Sequence, residues 1–352
     1  MTTDPNRFRL LSFPPRFRAL AALAALALAI AAVSASYALA QSRAKPIGTG
    51  VVVINTNLAY QGAQAAGTGM VLDSSGEILT NNHVIRGATT IKIVVPGTGH
   101  SYTAKVIGYD ATRDVAVLQA SGASNLRTVE LGSSATLEVG QLVKAVGNAG
   151  GTGSLTRTTG QITGLSRTIT VNDDSGGTAT LRNLIETSAN LQPGDSGGPL
   201  FNTAGKVIGM DSAASSSSVY QDISTTDSYA IPINRALAIV KQFVSGKTSA
   251  AVHVGATAFL GISVAAGDAP QYQYARPGVV VAAVVPGSPA DSAGLTMSDL
   301  ITAIGGTRVT TPDAVSRVIR SKKPGATITV SYVDTSSSAR TARVKLASGP
   351  PQ

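Results

Sequence analysis

The sequence predicts a mostly β protein in two unequal units, a large strand-rich one followed by a small α+β one. Three observations carry that expectation. Between residues 47 and 187, short apolar and β-branched runs follow one another between turn residues, with almost no helical periodicity. The chain has 352 residues, the length of two ordinary domains, and 37 of them are glycine, which fits a turn-rich fold. A second series of strand and helix signals starts beyond residue 256, after a stretch of small and polar residues.

Ahead of both units, residues 1–18 hold four arginines and one acid, Ala19 to Val33 is apolar, and Ala38-Leu39-Ala40 has the small-x-small pattern of a signal-peptidase site. Residues 1–40 are therefore expected to be a signal peptide of the general secretory route, cleaved after Ala40. An uncleaved membrane anchor is the alternative, since Ala19 to Ala40 is about long enough to span. Either way the protein belongs in the cell envelope or outside the cell.

The strands of the first unit, 41–248, can be read in order. Val51 to Ile54 is β-branched. Gly67 to Leu72 and Ile78 to Thr80 flank Asp73-Ser74-Ser75-Gly76, a hairpin turn. Thr90 to Val95, Thr103 to Tyr109, Val115 to Leu118, Leu142 to Val146, Gln161 to Ser166 and Leu184 to Thr187 come next, then Pro199 to Phe201 and Lys206 to Met210 around a second turn. This spacing argues for a sandwich or a barrel. Ala213 to Ser228 is Ser-rich and reads as a surface loop. Asn234 is placed to cap a helix with Leu237, Val240, Phe243 and Val244 on its apolar face, stopped at Gly246. Residues 249–256 read as a linker.

The chemistry sits in three stretches. In Gly194-Asp195-Ser196-Gly197-Gly198-Pro199, glycines on both sides of a serine permit a tight bend that exposes its hydroxyl and converges backbone N–H groups. Taken alone this is a common turn. Thr80-Asn81-Asn82-His83-Val84 places one of three histidines at the end of an apolar run, and Arg113-Asp114-Val115-Ala116-Val117-Leu118 places an aspartate at the mouth of a strand. A hydroxyl nucleophile needs a base that titrates near the working pH, and that base needs an anion on its far nitrogen. His83, Asp114 and Ser196 supply these parts, in the chain order His, Asp, Ser.

From Ile47 to Leu346 the chain resembles HtrA/Deg-type serine proteases, a trypsin-like domain followed by a PDZ domain. The resemblance implies a chymotrypsin-like pair of six-stranded β-barrels with His83 and Asp114 on the first and Ser196 on the second. It implies an oxyanion hole from the N–H groups of Gly194 and Ser196. It further implies a primary pocket shaped by Asn190 and Leu191 and a substrate strand along Ser212, Ala213 and Ala214. With no acid at position 190, cleavage after small or aliphatic residues is expected. Phe259-Leu260-Gly261-Ile262 resembles the carboxylate-binding loop of PDZ domains, in which a peptide C-terminus adds as a strand. The PDZ domain is expected over 257–348, with a groove helix at Thr311 to Ile319 whose Val315, Val318 and Ile319 face inward. Ser298-Asp299 stands where many relatives have Gly-Asp, which is expected to alter only a turn. Such relatives are often trimers; here a homotrimer and a monomer both stay open. Thr170 to Thr180 is the candidate regulatory loop.

Other polar residues have plainer readings. His100 in a Gly-rich turn and His253 in the linker are expected to be solvated, and Asp110 is read as a turn residue, not the triad acid. Asp195 matches digestive trypsins, where the corresponding acid pairs with a newly cut N-terminus. Ile47-Gly48 runs too directly into the first strand to serve as that terminus, so the partner of Asp195 is open.

Composition narrows the classes further. The formal charge is +9, but beyond residue 40 only 24 cations and 18 anions remain, scattered and without interleaved aromatics, so nucleic acid is not an expected partner. There are no cysteines, which removes disulfides and Cys-based metal or redox sites. No cofactor and no metal are expected. The expected partners are unfolded or exposed polypeptides at the protease site and C-terminal peptides at the PDZ domain. A chaperone-like or peptide-binding envelope protein with a resting triad is the competing reading.

Overall fold

The computed structural model describes residues 45–172, 178–212, 228–249, 251–266 and 277–351. The predicted signal segment lies outside the described residues, as do Ala213, Ala214 and the centre of the candidate regulatory loop. Both barrels and the C-terminal sheet belong to one compact unit, Ile47–Gln352.

The first barrel is built from β1 (Val51–Leu58), β2 (Ala63–Val71), β3 (Glu77–Thr80), the single turn α1 (Asn82–Ile85), β4 (Thr90–Val94), β5 (Ser101–Asp110) and β6 (Val115–Ala120). The order is β5-β4-β1-β2-β3-β6, and pairing of β5 with β6 closes the ring. Strand alternation explains why these runs are apolar on consecutive positions. Val52, Ile54, Ala116 and Leu118 fill the barrel. Their neighbours Val51, Val115 and Val117 point the other way, into a core shared with Val146, Phe201, Met210 and Ile231 of the second half.

The second barrel comprises β7 (Leu142–Gly147), β8 (Thr156–Asn172), β9 (Thr178–Thr187), β10 (Pro199–Phe201), β11 (Val207–Ser212) and β12 (Ser228–Pro232). It closes in the order β10-β11-β12-β9-β8-β7. β8 and β9 run well past the predicted limits, since polar alternation in a long exposed hairpin leaves no apolar signature.

The helix α2 (Ile233–Val244) starts at Ile233. Asn234 does not cap it in the expected manner. Its backbone N–H donates to Ser134 Oγ (3.1 Å), and its Oδ1 accepts from the Ser134 N–H (3.2 Å), so a distant loop supplies the cap. Phe243 is buried in the shared core, worth about 2–3 kcal/mol for a side chain of that kind, whereas Val244 is exposed.

The segment read as a linker contains β13 (Val252–Val254), which pairs with the end of β5. His253 is accordingly not solvated. It is half-buried against Tyr109, with ring centroids 5.0 Å apart, and burial lowers its pKa. His100 is exposed as expected.

The C-terminal unit holds β14 (Thr257–Phe259), β15 (Ile262–Ala266), β16 (Val279–Val284), α3 (Pro289–Ser292), β17 (Leu300–Ile304), β18 (Thr307–Arg308), α4 (Pro312–Arg320), β19 (Thr327–Val333), β20 (Ala339–Lys345) and β21 (Ala347–Gly349). The main sheet runs β15-β16-β17-β19-β20, with β18 on β17, and β14 pairs with β21. Helix α4 is capped by Thr311, whose Oγ1 accepts from the Ala314 N–H, with Pro312 in its first turn. Val315 and Ile319 are buried beside Leu260, and Val318 is half-buried at the rim of the same core. Ser298 has φ +74°, a left-handed turn that glycine would adopt without strain.

Candidate active site

Asp114 immediately precedes β6 with φ +56°, a conformation that aspartate tolerates better than most residues. Its carboxylate grips His83 twice: Oδ2 lies 2.8 Å from His83 Nδ1, and Oδ1 accepts the His83 backbone N–H at 2.9 Å. The carbonyl of Asp114 accepts from Asn81 Nδ2 at 2.9 Å, so the two loops that carry His83 and Asp114 are fastened side by side. The Asp114 side chain is 9% exposed and that of His83 41%, which leaves the imidazole open on its far side. Asp110 does not take part. Its buried carboxylate accepts from the Arg113 N–H and pairs with Arg113 Nε at 2.8 Å, as a turn residue would.

The Ser196 turn meets this pair across the seam between the barrels. The Thr68 N–H donates to Ser196 O (2.9 Å), and Thr68 Oγ1 donates to Gly194 O (2.7 Å). Thr80, three residues before His83, donates from Oγ1 to Thr68 O. A Cβ on Gly197 would lie 2.2 Å from Thr68 O and 2.3 Å from Thr80 Oγ1, so only glycine permits this approach. Gly194 has φ +100°, and among the described residues its N–H meets no acceptor. The second barrel reaches the pair a second time through Ser212, whose Oγ donates to Asp114 Oδ2 at 3.4 Å.

Among the other expected site residues, Leu191 is buried in the second barrel's core, and its N–H donates to Ser228 Oγ at 3.2 Å. Asn190 is exposed, with Oδ1 taken by Gln192 Nε2. In the C-terminal unit, Leu260 and Gly261 are buried, while Phe259 and Ile262 are half-buried. The Phe259 ring stacks on Tyr60, just beyond β1.

Sequence reasoning missed Thr68, Thr80 and Ser228, whose types carry no signal at their positions. It also missed Asp211, where an acid in the apolar strand Val207-Ile208-Gly209-Met210-Asp211-Ser212 was the available clue. Asp211 is fully buried, and burial pushes its carboxyl well above the usual range. Asp195 is buried too and likewise raised, although its Oδ2 accepts from the Gln192 N–H at 2.9 Å.

Residues 67–210 match the model of the trypsin-like peptidase domain, and residues 258–346 match that of the PDZ domain. The chain is a trypsin-like peptidase domain joined to a PDZ domain. The relatives of this pairing are HtrA-type proteases. The serine protease PepD of Mycobacterium tuberculosis is 33% identical over 311 residues, covering 84% of this chain and 63% of PepD. The serine protease Do-like HtrA of Bacillus subtilis is 32% identical over 280 residues, covering 75% of this chain and 60% of that protein. The chain thus spans about 60% of the length of these curated relatives. The HtrA-type protease AlgW, solved with a tripeptide, superposes with a TM-score of 0.50 at 27% identity, covering 90% of this chain and 98% of that one. The peptidase domain of this chain is the double barrel, and its PDZ domain is the sheet with α3 and α4.

Proposed function

We propose that the chain is an exported serine endoprotease that cleaves unfolded or exposed polypeptides. Ser196 Oγ attacks the scissile carbonyl, His83 Nε2 takes its proton and later returns it to the leaving amine, and Asp114 holds the imidazole tautomer and stabilises the imidazolium. The observation that carries the reading is the double grip of Asp114 on His83, because it commits Nδ1–H to the carboxylate and leaves Nε2 as the base. The N–H groups of Gly194 and Ser196 receive the oxyanion, each donor being worth about 3–4 kcal/mol in the transition state. The uncharged Asn190, where no acid stands, favours a small or aliphatic side chain in the primary pocket. Extracytoplasmic action is supported by relatives from Haemophilus influenzae and Hahella chejuensis whose names place them in the periplasm.

The PDZ domain binds C-terminal peptides along β15, an edge strand of its sheet. The Tyr60–Phe259 stack ties the carboxylate-binding loop to the peptidase domain and favours a second reading, in which PDZ occupancy releases a resting protease. Turnover of casein by the full chain beside Ser196→Ala tests the first reading. Activity absent from the variant establishes the protease. Silence from both, with turnover by the parent alone once a C-terminal peptide is added, establishes the resting state, and silence throughout leaves a peptide-binding protein.

A further inference from the structure

We propose that Asp195 and Asp211 share a single proton beneath the nucleophile turn, with Asp211 as the neutral acid, and that this acid pair positions Ser196. The positioning role rests on the reading of Ser196 as the nucleophile.

The backbone of Asp211 brackets that turn. Its C=O accepts the Gly197 N–H at 2.8 Å, and its own N–H donates to Gly198 O at 2.7 Å. On β11 the Ser212 side chain turns towards Asp114, so alternation sends the Asp211 side chain to the opposite face, the face of Gly209. A Cβ on Gly209 would touch Ala230 and Ile185, both in the second barrel's core. Asp211 therefore enters an apolar interior with 0% exposure, and among the described residues neither of its oxygens has a partner. Asp195 lacks one partner: Oδ2 takes the Gln192 N–H, and Oδ1 is buried with none among the described residues.

Among the described residues no cation neutralises the pair. On the turn the charged neighbour is Asp195 itself, and β10 and β12 bring no ionisable group except Tyr229, whose hydroxyl donates to Glu186. On β9, Glu186 is engaged by Arg167. On β7, Lys144 is exposed. Helix α2 carries Arg235, which donates to Arg182 O, and Lys241, exposed near the helix end. Beyond Ser212 stands Asp114 with His83. Two unneutralised carboxylates in a dry interior are far costlier than one carboxylate and one acid. The amide bond to Asp195 Oδ2 favours the anion there, so the proton belongs on Asp211. The electrostatics run the same way, since burial raises both carboxyls and the charge of Asp195 raises Asp211 further.

A carboxyl raised on folding binds more protons in the folded state, so the stability it leaves is full below the ordinary aspartate range and falls as pH rises towards the folded value. The test uses the full chain in the inactive Ser196→Ala background, where no turnover is needed. Ser196→Ala should show the infrared carbonyl band of a buried carboxylic acid at neutral pH, and Ser196→Ala/Asp211→Asn should lack it. Above the ordinary aspartate pKa, the unfolding constant of the first should rise relative to the second by about tenfold per pH unit. In the active background, Asp211→Asn, which keeps a donor, should retain at least ten times the kcat of Asp211→Leu, and the parent's kcat should fall at alkaline pH while that of Asp211→Asn should not. No acid band, parallel stability profiles, or equal kcat for Asn and Leu would each overturn the proposal. A parent that is silent towards every substrate sinks the protease reading, and the band and the unfolding profile still decide the shared proton.

Discussion

The rings of Tyr60 and Phe259 stack with centroids 5.0 Å apart and planes 8° from parallel. Tyr60 belongs to the connection after β1 of the peptidase domain, and Phe259 ends β14 of the PDZ domain. The Tyr109 hydroxyl near Thr257 Oγ1 (3.4 Å) and the Gly87 N–H donating to Pro351 O (2.8 Å) hold the same edge. An aromatic pair of this kind contributes about 0.5–1.5 kcal/mol. If peptide binding displaces Phe259, Tyr60→Ala should raise the affinity for a C-terminal peptide by about two- to tenfold. Calorimetry on the full chain measures this, and unchanged affinity would show that the stack does not oppose binding.

Asp114→Asn should keep the fold and lose the chemistry. Asparagine tolerates the left-handed φ at this position, so the melting temperature should move little. An amide opposite Nδ1 selects the wrong tautomer, and kcat should fall by about 10⁴. A fall of less than tenfold would remove Asp114 from the triad.

Ser212→Ala deletes one weak hydrogen bond to Asp114 and leaves the two made by His83. A contact of that size is worth about 1 kcal/mol, so kcat/KM should drop about fivefold with KM unchanged. An altered KM would instead assign Ser212 to substrate binding, which its place at the predicted substrate edge also allows.

Gly197→Ala should be far more damaging than its size implies. The new methyl meets Thr68 O and Thr80 Oγ1 at φ +85°, so either the turn or β2 must shift. Activity should fall at least a hundredfold, because displacement of about 1 Å costs that much in a positioned nucleophile. Titration with an active-site-directed phosphonate would show whether the remaining rate reflects fewer competent sites or a slower site.

Stability should fall on acidification through His253. Burial holds its pKa below the ordinary 6.5, so the unfolded chain binds the extra proton first. The contribution is complete above about pH 6.5 and is lost as pH drops towards the folded value. Denaturant unfolding from pH 7.5 to 5 should be less pH-dependent in His253→Leu, and an identical slope would show that His253 titrates as if solvated.

Much of this architecture was legible in the chain. Turn chemistry and β-branched runs marked the strands, and Gly194, Ser196 and Gly197 marked a bend that needs glycine on either side of a hydroxyl. The boundaries of β8 and β9 were not legible, because a polar hairpin has the same composition as a loop. The strand at Val252–Val254 was missed for a different reason: three residues carry no period, and what makes them a strand is the free edge of β5.

The sequence by itself determined a strand-rich first unit and the three residues of the candidate triad, which depend on local spacing and on the order of chemically distinct types, while its resemblance to HtrA/Deg-type proteases implied the double barrel and the PDZ domain. Only the tertiary structure decided what surrounds them. Thr68 and Thr80 brace the Ser196 turn, Ser134 caps the helix assigned to Asn234, and the backbone of Asp211 brackets the Ser196 turn, because barrel closure brings together residues that no spacing in the chain relates. A buried carboxyl announces itself only when the strands that exclude water from it are in place.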